Sequence, residues 1–184
     1  MQRTSFRDMH CSLARTLDVA GEWWSPLILR DLFVGVARFD ELQEDLGISA
    51  KVLSERLRAL TRAGIAERKP YQSRPRRDSY VLTAKGRALV PPLLALMAWG
   101  DRWASPDGRP PMLLRHERCG RLMTAQVTCS RCGGDIVADE VTPLAGPGGA
   151  RAAGTRVIAK MLAPAQPVRE AGSRGPARHR ATRR

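Results

Sequence analysis

From Ile48 to Lys69 the chain reads ISAKVLSERLRALTRAGIAERK, and the fold turns on this stretch. Ser49 is a strong helix cap, because its hydroxyl accepts a bond from an amide that the first turn leaves without a partner. Leu53, Leu57 and Leu60 then recur at helical spacing as one apolar stripe. Lys51, Glu55, Arg58 and Arg62 follow at i, i+4, i+7 and i+11 on another side. Gly64 supplies a left-handed stop, and Ile65 to Lys69 reads as a strand. The spacing predicts a helix over 49–63 that rests on a core by one face and offers cations on another.

Working outward toward the N-terminus, Phe39, Leu42 and Leu46 predict a short helix that Gly47 ends. Before it, Leu27, Ile28, Leu29 and Leu32 mark a helix broken by Gly35. Ser25 and Pro26 suit its cap and first turn, although it could equally start at Trp23-Trp24. Ser12 is the expected cap of a first helix carrying Leu13, Leu17 and Ala20, with Gly21 as its stop. Toward the C-terminus, Ser79 to Leu82 predicts a second strand. The basic segment Pro70 to Arg77 is read as a loop too long for a tight hairpin turn. Thr83 then caps a last helix with Leu89, Leu93, Leu96, Trp99 and Trp103 in line. Pro91-Pro92 should kink that helix, with Pro92 costing a hydrogen bond.

A short helix turned onto a second through glycine is the helix-turn-helix arrangement, and a strand-loop-strand directly after it makes a wing. The fold class is therefore mainly α with a small β-wing, a winged helix-turn-helix. Proteins of this geometry touch bases with the N-terminal part of the second helix. The candidate DNA-facing set is Ser49, Ala50, Lys51, Ser54, Glu55 and Arg58, joined by Arg74, Arg76 and Arg77 of the wing. Arginine binds phosphate through paired hydrogen bonds and also fits narrow minor grooves. A solvated charged face is the alternative for the helix alone; the adjoining wing weighs against it.

The 184 residues carry a formal net charge of +13, which draws polyanions. Part of that excess lies outside the periodic region, since 142–184 holds nine Lys or Arg and only Glu170 as an acid. Rich in Ala, Gly, Pro and Arg, this tail should be mostly disordered, with a short helix conceivable over 156–162. It should add affinity for any DNA sequence. The expected division is 10–104 for DNA binding and dimerisation, 105–141 for a Cys/His knuckle segment, and 142–184 for the tail. No stretch is apolar for the roughly 18 residues that crossing a bilayer takes, and 1–10 lacks a secretory apolar segment. A cytoplasmic, nucleoid-associated protein without membrane partners is expected.

Residues from about 11 to 103 resemble the HxlR-type winged helix-turn-helix regulators, relatives of the MarR group. The resemblance rests on Trp24 with Leu27 to Leu32, on Gly35 with Arg38 to Leu42, and on Ile48-Ser49 with Leu53 to Leu60. It continues through Gly64-Ile65, Glu67-Arg68, Tyr71, Pro75, Arg77, Tyr80, Leu82-Thr83 and Gly86, and ends at Leu96 with Trp99-Gly100. It implies a non-enzymatic transcriptional regulator, read as a repressor, acting as a homodimer on a near-palindromic stretch of double-stranded DNA. Pairing would use the first and last helices, here Leu13 and Leu17 with Leu93, Leu96, Trp99 and Trp103; an intramolecular core is the alternative for the last four. Some members sense oxidants or electrophiles through a cysteine near the N-terminus, and Cys11 stands at the matching place. A buried inert thiol is the alternative there, and the effector is not named by the resemblance.

The remaining cysteines follow their own pattern. His116, Cys119, Cys129 and Cys132 make H-x2-C-x9-C-x2-C, and each pair is followed by Gly. Three thiolates and an imidazole suit one structural zinc ion in a small ribbon. Packing without metal, or a redox pair at Cys129 and Cys132, are the alternatives. Two further functions are weighed: an RNA-binding zinc-ribbon protein, and a thiol oxidoreductase using the C-x2-C pair, against which the lack of a βαβ pattern counts.

Overall fold

The computed structural model describes residues 5–74 and 76–162, with the side chain of Arg76 outside the description. Four helices come first: α1 (Ser12–Ala20), α2 (Trp24–Val34), α3 (Phe39–Leu46) and α4 (Ala50–Arg62). The antiparallel strands β1 (Ala66–Ser73) and β2 (Arg76–Leu82) follow, then α5 (Ala84–Arg87) and α6 (Val90–Trp103). A small hairpin of β3 (Leu114–His116) and β4 (Arg121–Met123) and a single turn of helix α7 (Ile158–Met161) complete the described elements.

One core organises the first 103 residues. Ile28, Leu29 and Leu32 of α2 meet Leu42 of α3, the stripe Leu53, Leu57 and Leu60 of α4, and Ile48, Ile65, Ala66 and Leu82. The predicted faces of α3 and α4 are the observed ones; on α2, Ile28, Leu29 and Leu32 face the core, while Leu27 is exposed. Gly47 and Gly64 turn the chain at positive φ of 62° and 68°, the region where a side chain would strain the backbone. Gly86 answers a different need. A Cβ there would collide with the Ile65 carbonyl oxygen, so only glycine lets α5 close against the start of the hairpin.

Several boundaries differ from the sequence expectation. Cys11, in extended conformation, is the N-cap of α1, and Ser12 is already helical. α2 takes the earlier of its two expected starts, with Trp23 as N-cap and Trp24 first in the helix, which places Ser25 and Pro26 inside the first turn. The basic stretch 70–77 is not a long loop. The ladder continues to Ser73↔Arg76, leaving two residues at the tip. A register shift between Pro70 and Gln72 leaves Tyr71 as the bulged residue, directly after a proline that has no amide to give to a ladder. A short piece before α3 adds a third strand position, where Tyr80 N–H donates to Ala37 O at 2.8 Å and Arg38 bridges Ser79.

The last helix is two helices. Thr83 Oγ1 accepts from Gly86 N–H at 3.1 Å and caps α5, and the chain re-enters a helix at Val90. Pro91 and Pro92 fall in the first turn of α6, where amides have no helical acceptor in any case. Pro92 therefore costs no hydrogen bond, and the expected kink is replaced by a break at Ala88-Leu89.

Of the tail, the part through Leu162 is described. Thr155 is buried, its hydroxyl donating to Ala150 O at 2.8 Å, and the Gly148 carbonyl lies 3.4 Å from His10 Nδ1. Helix α7 falls within 156–162, where a short helix was conceivable. Residues 163–184, with most of the tail's basic charge, lie outside the description, as does Pro75.

Candidate nucleic-acid interface

Helix α4 stands on its leucine stripe, so its other faces are fixed in direction. Ser49 Oγ accepts from Val52 N–H at 3.3 Å and starts the helix. Ser49, Ala50 and Lys51 are exposed at its N-terminal end, and Ser54 and Glu55 are half-buried behind them. Arg58 is exposed one turn further on, its Nε folded onto the Ser54 carbonyl at 3.1 Å. The aligned peptide dipoles make this N-terminal end favourable for a phosphate. Arg56, between these residues in sequence, points the other way and pairs with Glu22 at 3.0 Å, which ties α4 to the chain just before α2.

The wing carries cations of its own. Arg74 and Arg77 are exposed, and neither enters an ion pair among the described residues. Arg76 belongs to β2 by its backbone, and its side chain is outside the description. Other cations of the hairpin are engaged: Arg68 pairs with Asp78 at 2.6 Å and lies over the Tyr80 ring, and Lys69 pairs with Glu67 at 3.2 Å. Sequence reasoning assigned no role to Arg38. Its guanidinium lies 5.3 Å from the centre of the Tyr71 ring and 3.0 Å from Asp40, clamping the bulge of the wing to the head of α3. An aromatic residue inside an otherwise basic hairpin was the signal for such a cation partner.

The residues expected to pair two chains separate into two groups. Leu13, Leu17, Leu96, Trp99 and Trp103 are between 43% and 67% exposed, a large apolar surface for so small a domain. Leu93 instead is half-buried and packs against the core, as the intramolecular alternative had it. Cys11 is half-buried at the mouth of α1.

Each half of the cysteine pattern is built as a turn. Between β3 and β4, the amides of Cys119 and Gly120 both donate to His116 O, and Cys119 Sγ lies 3.5 Å from His116 Nδ1. In the second turn, Gly133 N–H donates to Cys129 O, Cys129 N–H to Gly134 O, and Arg131 N–H to Cys129 Sγ at 3.4 Å. The amides of Cys132 and Arg131, with the Cys132 thiol, hold the Cys129 thiol below its ordinary range. Among the described residues, no three of His, Cys, Asp and Glu are gathered as a ready metal site; the four stand as two pairs.

Comparison with known proteins agrees with this geometry. The HxlR-like helix-turn-helix family matches residues 19–108. The uncharacterized HTH-type transcriptional regulator Rv3095 of Mycobacterium tuberculosis is 44% identical over 137 residues, 74% of this chain and 87% of that protein. Such a match is longer than the family segment and everything before it, so it continues past residue 108 into the cysteine-bearing part. An HTH-type regulator of Synechocystis is 39% identical over 53% of this chain and 73% of its own length. Among solved structures, the candidate transcription factor PA1607 is 37% identical with a TM-score of 0.66, over 76% of this chain and 98% of that one. Another, PA1374 of Pseudomonas aeruginosa, is 39% identical with a TM-score of 0.52, over 76% and 95%. No helix among the described residues is long and apolar enough to cross a membrane. The chain belongs to the HxlR-like helix-turn-helix family and is a DNA-binding transcriptional regulator built on a winged helix-turn-helix.

Proposed function

We propose that this regulator is a homodimeric repressor that binds a near-palindromic operator. The observation that carries the reading is that Ser49, Lys51 and Arg58 of α4 and Arg74 and Arg77 of the wing are exposed on the two elements that a winged helix turns toward DNA. α4 enters the major groove, and the wing cations grip the sugar-phosphate chain. Glu55 accepts from a cytosine amine, and Ser49 and Ser54 bond base edges or phosphate. Exposed leucines on α1 and exposed Leu96, Trp99 and Trp103 on α6 supply the pairing surface, so two α4 helices reach half-sites about one turn of DNA apart. Occupancy of a promoter by such a dimer blocks transcription without any further surface. The relatives are named as transcriptional regulators, which favours neither the RNA-binding nor the oxidoreductase alternative.

Footprinting on the DNA flanking the gene supplies the operator, and binding titrations then test the surface. Replacing Lys51, Arg58, Arg74 and Arg77 together by Ala should weaken operator binding at least roughly 100- to 1,000-fold and lower the salt slope by up to about seven, since each of the two chains loses four cations. Helix content and unfolding midpoint should stay as they are. Unaltered affinity in that folded variant would refute the interface. An asymmetric footprint, or a monomer by sedimentation at micromolar concentration, would refute the dimer.

A further inference from the structure

The segment 105–141 has a problem that the winged helix lacks. None of its residues is buried, and Leu113, Leu122, Val127, Ile136, Val137 and Val141 are all about half exposed or more. Its strands are three residues long, and a single bridge, Thr128↔Asp135, closes the second turn. Two such hairpins bury too little apolar surface to offset the entropy of ordering them. Chains of this size that hold a shape without a core do so with disulfides or a metal. The four cysteines are free thiols.

What the segment does have is two turns of matching construction. Each presents its ligand-type side chains with two residues between them and turns at a glycine of positive φ, Gly120 at 67° and Gly133 at 74°. In the second turn a backbone amide already points at sulfur, as it would toward a thiolate. In the first, the 3.5 Å between Cys119 Sγ and His116 Nδ1 is close to the edge of a zinc tetrahedron, about 3.6 Å for bonds of about 2.3 Å to sulfur and 2.1 Å to nitrogen. Glu117, the acid inside the first turn, is paired with Arg115 at 3.1 Å, which leaves sulfur and imidazole as the donors, a set that suits zinc.

We propose that His116 and Cys119 close with Cys129 and Cys132 around one zinc ion per chain, and that this ion is what folds the segment. Binding releases three thiol protons and leaves a tetrahedral centre with no open position, so the role is structural. The first hairpin lies beside α6, where Met112, Leu114 and Met123 share a cleft with Leu94, Met97 and Ala98. Zinc there fixes the hairpin along the helix whose outer face carries Trp99 and Trp103. This proposal does not depend on the reading of α4 and the wing.

The test uses the full chain purified without chelator. Metal analysis should find about one zinc per chain, and Cys119→Ser and Cys129→Ser should each bring it below about 0.2. Arg115, Arg118, Arg121 and Arg131 are exposed trypsin sites inside the segment. Stripping the zinc should speed cleavage there at least about tenfold, and adding it back should restore protection. The helical circular dichroism of the winged helix should be unchanged in both variants, which separates loss of zinc from loss of fold. The proposal is overturned by zinc below about 0.1 per chain even after zinc is added, with all four thiols reacting freely. It is equally overturned if Cys119→Ser keeps its zinc, or if the tryptic pattern ignores zinc removal.

Discussion

The winged helix over 12–103 and the cysteine segment over 105–141 solve the same problem by opposite means. In the first, apolar side chains from three helices and a hairpin converge, and Ile28, Leu42, Leu53, Leu57, Leu60 and Ile65 are fully buried. Its polar surface is thereby free to carry function. In the second, every side chain is at least partly exposed, and order comes from turns whose donors and acceptors lie within a few residues of each other. A core tolerates almost any surface above it, which is why α4 can present Lys51 and Arg58 without cost to the fold. A coreless segment must use its most reactive side chains as its structure. Cysteine and histidine that a thiol enzyme would spend on chemistry are, on our proposal, spent there on folding.

The sharpest way to break this contrast is to truncate one leucine in each region. Leu57→Ala removes a side chain that is 1% exposed and should cost about 3–5 kcal/mol, enough to unfold much of the domain. Leu122, 67% exposed, should cost under about 0.5 kcal/mol on the same change. Urea titrations of the two variants compare them directly, and similar losses would mean the segment has a hidden core. The next effect is that of a single methyl group. Gly86→Ala drives a Cβ onto the Ile65 carbonyl, and neither atom is the end of a flexible side chain. It should cost about 1–3 kcal/mol, felt as a lower unfolding midpoint and a shift of the wing's amide signals. A neutral Gly86→Ala would show that α5 is free to move away from the hairpin.

How far each region could be read from sequence follows from the same difference. The stripe Leu53, Leu57 and Leu60 and the stops at Gly47 and Gly64 were legible, because burial and positive φ leave a mark on every turn of chain. The exposure of Ser49, Ala50, Lys51 and Arg58 followed from that, since a buried stripe fixes what the opposite side presents. The length of the hairpin was not legible. Pro70 looks like the end of a strand until one knows that a bulge follows it, and a bulge depends on the partner strand. Pro91-Pro92 misled for a similar reason: a proline's cost is set by its distance from the start of the helix, and that start depended on the break at Ala88-Leu89. Arg38 was quoted only as part of a resemblance, because its partner Tyr71 lies across the wing.

The smallest effect concerns a buried acid, Asp31. Asp31 is 2% exposed, and one of its oxygens, Oδ2, has no hydrogen-bond partner among the described residues. Burial pushes its carboxyl above the usual range, with Asp45 adding to the rise, while Arg30, 2.6 Å away, opposes it but is shared with Asp45 at 3.0 Å. The folded protein therefore takes up this proton at a higher pH than the unfolded chain does. Between the two pKa values the native state binds more protons, so the contribution of Asp31 to stability falls as pH rises through that window and stays lost at neutrality. Asp31→Asn has no such proton to lose. The wild type should lose ground to Asp31→Asn as pH is raised from about 4, the unfolded carboxylate range, to 7, whatever the offset between them at the acid end. Urea unfolding of both proteins across that range measures the slope. If the wild type gains on the variant instead, the Arg30 ion pair outweighs burial, and the core carries its charge as a stabilising pair.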